Sequence, residues 1–182
     1  MAWTLPGTVI TLPRQEADLV QDRLQALFLA GGISLGQVTG LTGLEPHTVQ
    51  NWVKRGFLSP PVNKRYSLAQ LCRIININML KSVLPMDRIC ALLGYINGQL
   101  DDESDDIIDD SRLYFLFVSL ASRAKEVDRD RESQLDRCLE GYAEPYPGAT
   151  DRIKTVLRIM LTAYLAARMQ QEAEKQLKNI HL

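Results

Sequence analysis

The sequence predicts an all-α protein with room for no more than a very short β wing. Apolar residues recur at helical spacing in nearly every segment long enough to form an element. Glycine and proline fall between those segments and punctuate them. No stretch alternates apolar and polar side chains long enough to make a useful strand. Hydrophobic residues make up 46% of the 182, enough to bury a core, which excludes a chain disordered throughout.

Residues 1–33 divide into an entry and a helix. Pro6, Gly7 and Pro13 mark residues 1–15 as extended. From about Glu16 to Ala30, Leu19, Val20, Leu24, Leu27 and Phe28 share a helical face, and Gly31-Gly32 stops the helix.

Residues 34–96 form the next unit. Leu35, Val38 and Leu41 mark one face of a short helix, and Gly43 can take the left-handed backbone that turns the chain after it. Pro46 suits the first turn of a second helix, in which Val49, Trp52 and Val53 share a face. His47, Gln50, Asn51, Lys54 and Arg55 point elsewhere, and Gly56 ends the helix. Residues 59–66 leave no room for a long hairpin. Ser67 is a good N-cap for a helix to about Val83, with Leu68, Leu71, Ile74, Ile75, Met79 and Leu80 on a wide apolar face. Pro85 restarts the chain in a helix with Met86, Ile89, Leu92, Leu93 and Ile96 inward.

Residues 97–110 carry seven acidic side chains and no basic one. Like charges this dense repel, which predicts a solvated linker. They lack the glycine and spacing of a calcium loop. Residues 111–182 return to helical patterning, beginning with the apolar run Leu113–Ala121. A shorter helix is expected around Gln134–Tyr142. Thr150 is read as the N-cap of the last helix, whose Ile153, Val156, Leu157, Met160, Leu161, Tyr164 and Leu165 lie on one stripe. Packing against 111–126 within one chain satisfies that stripe. Homodimerisation satisfies it too and is the reading preferred here, because a lone helix-turn-helix rarely binds tightly and dimers read paired half-sites.

Several function classes find no support. Cys72, Cys90 and Cys138 lie too far apart for a disulfide framework, so reduced thiols and a cytoplasmic location are expected. Cys72 and Cys90 read as small core residues. No secretory signal stands at the N-terminus. No apolar run approaches the roughly 20 residues a membrane helix needs. Two histidines and no ligand-spaced cysteines argue against a metal. No phosphate-cradling or nucleophile motif is present, so neither an enzyme nor a cofactor is expected. Tyr114, Phe115 and Phe117 read as a packed helix interface rather than an effector pocket, and no motif specifies an effector.

Charge is distributed unevenly along the chain. Between residues 34 and 88, Lys54, Arg55, Lys64, Arg65, Arg73, Lys81 and Arg88 stand against only Glu45 and Asp87. A local basic surface is what attracts a phosphate backbone, whatever the total charge. Two short helices joined by a Gly-containing turn can hold the second across a major groove. In that second helix Gln50 and Asn51 offer amides that match adenine edges, and Lys54 and Arg55 can reach guanine or phosphate. His47 and Thr48 stand at its start, where His47 serves equally as a DNA contact or as a solvated side chain. Trp52, spaced with Val49, reads as core. Lys64, Arg65 and Tyr66 form a basic-aromatic wing tip suited to backbone or minor-groove contact.

These residues carry a resemblance. The run S-L-G-Q-V-T-G-L-T-G-L-E-P-H-T-V-Q-N-W-V-K-R-G-F-L-S-P-P, followed by K-R-Y-S, resembles the winged helix-turn-helix of MerR regulators. V-L-P-M-D-R-I-C-A-L-L resembles their fourth helix. N-W-V-K-R-G-F-L-S-P-P-V-N-K-R-Y-S is more similar still to an uncharacterised group, domain of unknown function 1836. The resemblance implies a MerR-like DNA-binding fold followed by a helical region, with double-stranded DNA as partner. MerR proteins usually carry arginine where this chain has Gln50 and tyrosine where it has Asn51, and they run on into a long dimer helix where this chain turns acidic. Those departures keep two alternatives open: a protein-interaction adaptor that retains the fold, and an excisionase-like architectural DNA binder.

Overall fold

The computed structural model describes residues 2–98, 100, 106–123 and 130–180. The entry is a small hairpin: β1 (Ala2–Thr4) pairs antiparallel with β2 (Thr11–Pro13), Trp3 opposite Leu12. A 3-10 helix over Arg14–Leu19 leads into α1 (Val20–Ala26). Then come α2 (Leu35–Thr42), α3 (Pro46–Lys54), α4 (Leu68–Leu80), α5 (Met86–Asn97), α6 (Asp110–Ser122), α7 (Arg131–Cys138) and α8 (Ala149–Lys178). The described chain is therefore mostly helical, as predicted.

The core centres on α4. From Leu71 to Ile77 every residue is buried, and Met79 and Leu80 continue it. A helix buried on all sides must be covered on all sides. Ser67 starts it as expected, and a reciprocal bond pair with Gln70 completes the cap. One contiguous apolar cluster runs from Trp3 through α2–α6 to Tyr164 on α8, so the helix-turn-helix segment and the C-terminal helices share a core.

The N-terminal hairpin is a clamp on that core. The Trp3 indole donates to the Tyr164 hydroxyl at 3.0 Å, and the buried Tyr114 hydroxyl on α6 donates to the Pro6 carbonyl at 2.9 Å. Asn78 Nδ2 donates to both Gly7 O and Thr42 O, tying hairpin tip to α2. The predicted extended entry becomes a hairpin because tertiary bonds, not alternation, define strands of three residues. Downstream, Leu19 and Leu27, expected on the inward face, stay exposed: the chain coils as 3-10 helix up to Leu19, and α1 has already ended at Ala26 before Leu27.

Two further expectations need correction, and on a third the chain takes the alternative reading. The acidic linker is not solvated to its end: Ile107 and Ile108 are buried, Ile107 N–H donates to Ile96 O at 2.8 Å, and Asp110 is buried against Arg73 at 3.1 Å. The acidic stretch 101–105 lies outside the described residues. Gly148, not Thr150, is the N-cap of α8, and the Glu144 carboxylate accepts the N–H groups of Gly148 and Thr150. Those bonds hold Glu144 below the usual carboxylate range. Finally, Ile153, Val156, Leu157, Met160, Leu161 and Tyr164 are buried, and Leu165 half-buried, within the single chain. They pack with α4, α5 and α6, so within the single chain α8 supplies the core's last wall, the intrachain alternative to a homodimer seam. Beyond it α8 emerges, exposing Met169 and Leu177. Among the described residues no helix is long and apolar enough to cross a membrane.

Gly7 has φ +73°, and a Cβ there would lie 2.4 Å from Ile75 O on α4. A backbone carbonyl in a buried helix cannot move aside. Gly7→Ala is expected to destabilise the protein by about 2–4 kcal/mol, combining left-handed strain with overpacking. Urea unfolding of the two proteins measures it, and an unchanged midpoint would contradict the clamp.

Candidate nucleic-acid interface

The site begins with a well-capped α2. Ser34 accepts the Gln37 N–H, and Gln37 Oε1 accepts the Ser34 N–H at 2.9 Å. Gly43 ends the helix at φ 71°, as its position predicts, and its N–H donates to Thr39 O at 2.8 Å. Val9 of the hairpin packs so close that a Cβ on Gly43 would lie 2.6 Å from Val9 Cγ1. Residues 43–45 then carry the chain into α3, where Pro46 occupies the first turn.

α3 divides cleanly. Val49 and Trp52 are buried and fix it to the scaffold. The Lys81 ammonium lies 5.8 Å from the Trp52 ring, and burial lowers its pKa. Trp52 is thus core, as expected. His47, Gln50, Asn51 and Lys54 are exposed on the opposite side, and Thr48 is half-buried with its N–H bonded to Glu45 O. Arg55, just past the helix, is exposed and stacks its guanidinium 4.6 Å from the Phe57 ring centroid.

The wing is a two-residue turn. Val62 and Arg65 exchange both backbone hydrogen bonds, at 3.0 and 2.9 Å, around Asn63 (φ 50°) and Lys64 (φ 61°). Positive φ at both central residues is the mirror-image turn that favours Asn followed by Gly. Here Lys64 takes the glycine position and stands exposed at the tip. Arg65 is exposed, and its Nη1 donates to Gly32 O at 3.2 Å. Tyr66 departs from its expected role as a surface contact. It is 3% exposed, and its backbone pairs with Ile33 in both directions, at 2.8 and 2.9 Å. It anchors the wing instead, and burial raises its phenol pKa. Gly32 permits this approach, since a Cβ there would lie 2.7 Å from Tyr66 O.

Seven of the nine predicted site residues are therefore exposed on α3 and the wing. Among the described residues no carboxylate forms an ion pair with Lys54, Arg55, Lys64 or Arg65. The described surface therefore presents cationic and amide side chains side by side on α3, with two further cations on the wing. Sequence reasoning missed Phe57 as a platform for Arg55. Its signal was an aromatic two residues after a basic helix end. Tyr114 and Phe117 are core, as expected. Two open grooves lie beside the 3-10 helix and α6, and neither is lined by residues of α3 or the wing. Among the described residues no group of three or more His, Cys, Asp or Glu side chains could hold a metal.

A family model described as Domain of unknown function (DUF1836) matches residues 12–117. The chain is 26% identical over 162 residues to a protein of Bacillus subtilis (strain 168) called "Uncharacterized protein YkrK", covering 81% of this chain and 70% of that one. No solved structure matches.

The thiols provide a test of the packing that supports the site. Burial raises the pKa of Cys90 and Cys138 and pushes Cys72 well above the ordinary thiol range. Thiolate is the reactive form. In native protein at pH 8 all three should react with an aromatic disulfide reagent far more slowly than in denaturant, Cys72 slowest. Rapid native labelling of Cys72 would contradict this burial.

Proposed function

The chain belongs to the Domain of unknown function (DUF1836) family, and from that premise we propose that it is a sequence-specific DNA-binding regulator of transcription with a MerR-like winged helix-turn-helix. In this reading α3 enters the major groove. Gln50 and Asn51 face adenine edges, and Lys54 and Arg55 face guanine or phosphate. His47 and Thr48 approach the backbone at the helix start, and Lys64 with Arg65 grips the flank. The partner is double-stranded DNA, and the setting is cytoplasmic. Two copies on neighbouring half-sites would multiply the grip of one module, through a contact other than the buried α8 stripe.

One observation carries the reading. Lys64 sits at the wing tip with φ 61°, where glycine is the favoured residue. A non-glycine residue in this region is strained, and strain of that kind collects at functional positions. A lysine there, exposed and without a carboxylate partner among the described residues, fits a phosphate contact better than a folding role.

Selection of duplexes from a random pool by the full-length protein tests the proposal, followed by salt-dependent titration of the selected duplex. Lys54→Ala with Arg55→Ala should weaken binding at least about tenfold and flatten the salt slope by roughly two, near 0.9 per lost phosphate contact. Lys64→Gly should flatten the slope by about one while holding or raising thermal stability, because glycine accepts the turn. Unaltered affinity and slope in both variants, or no duplex enriched, would reject the proposal. A stoichiometric protein partner recovered without DNA would favour the adaptor reading, for which the exposed Met169 and Leu177 on α8 are the available surface.

A further inference from the structure

Phe57 belongs to neither α3 nor the wing, yet three contacts converge on it. Its N–H donates to Trp52 O at 2.9 Å, closing the end of α3. Its ring stacks with the Arg55 guanidinium at 4.6 Å. Its carbonyl accepts from Arg73 Nε at 3.0 Å. Arg73 lies on α4 and is 6% exposed, and its Nη1 donates to Asp110 Oδ2 at 3.1 Å. Asp110 is the first residue of α6 and is itself buried, with Asn97 at the end of α5 against the same carboxylate.

We infer that Phe57 and Arg73 are positioning residues for Arg55, and that the Arg73–Asp110 ion pair connects α6 to the surface formed by α3. The steps are physical. An arginine at an exposed helix end samples many rotamers, and an aromatic platform restricts them before any ligand arrives. The platform serves only while the Phe57 backbone is fixed. The guanidinium of Arg73 fixes it, because its planar fork serves the Phe57 carbonyl and a carboxylate at once, which a lysine ammonium on a flexible stem does less well. Asp110 in turn neutralises a guanidinium that would be costly to bury alone. A buried ion pair is seldom kept for stability, since apolar residues of similar volume often serve as well. Here it spans the boundary between the helix-turn-helix and the C-terminal helices, directly behind a predicted contact residue. The consequence for DNA rests on the proposed function, whereas the relay itself does not.

The test uses full-length protein and nuclear magnetic resonance of the arginine Nε–Hε groups. The Arg55 Hε signal should lie upfield in the wild type, shifted by the Phe57 ring current. Phe57→Leu should erase that shift. Arg73→Met combined with Asp110→Leu, an apolar pair expected to keep the fold, should remove at least half of it. Asp110→Asn, which keeps a neutral acceptor, serves as the second variant should the pair not fold, and should reduce it in the same direction. With the selected duplex, Phe57→Leu and the apolar pair should each bind roughly two- to thirtyfold more weakly while retaining near wild-type melting temperatures. A wild-type Arg55 signal already at its Phe57→Leu position, or one unmoved in both Arg73 and Asp110 variants, overturns the relay. The expected resonance shifts with unchanged duplex affinity overturn its effect on binding. The same shifts in a protein that selects no duplex sustain the relay and sink the DNA-binding reading instead.

Discussion

Between Leu71 and Ile77 every residue of α4 is buried. An amphipathic helix needs one covered side, but this one needs cover around its whole circumference, and the rest of the architecture follows from that demand. The hairpin tip presses on it where Gly7 meets Ile75, α6 lies along it, and the first half of α8 contributes the remaining wall. An apolar α8 stripe that two chains could have shared is used up inside one. Arg73, set into the same helix, must find its partners within the core, and it finds them in a loop carbonyl and in Asp110.

Local chemistry was legible in the sequence wherever a single residue type has few conformational options. Gly43 turns left-handed, Pro46 starts α3, Ser67 caps α4 and Val49 with Trp52 face inward, all as their positions suggest. The exposed face of α3 was legible for the same reason: polar residues on the far side of an anchored helix have nowhere else to go. What stayed hidden depends on partners far along the chain. The strands of the hairpin are three residues each, too short for alternation to register, and are held by bonds to Tyr164 and from Tyr114. The seam on α8 has the same spacing whether it meets its own chain or another, so periodicity could not choose. Tyr66 follows two basic residues and reads as part of their surface, while its pairing with Ile33 turns it inward.

The two halves of the site are rigid for different reasons. α3 is held by buried side chains from one side and by the Phe57 exit from the end. The wing is too small for a core of its own and borrows order from residues 32–33, through the Ile33–Tyr66 pairing and the Arg65 bond to Gly32. Side chains on such supports lose less freedom on meeting a ligand than side chains on a long loop, which raises affinity without adding a contact.

The clamp at the N-terminus also bears on how the fold is reached. The bond from Trp3 spans 161 residues of sequence, and the one to Pro6 spans 108. Local helices can coil as the chain emerges from a ribosome, but Trp3 cannot lock until Tyr164 has appeared. Assembly is therefore dominated by late, long-range closure, the slow regime for a helical protein, in which nascent chains wait with apolar surface uncovered.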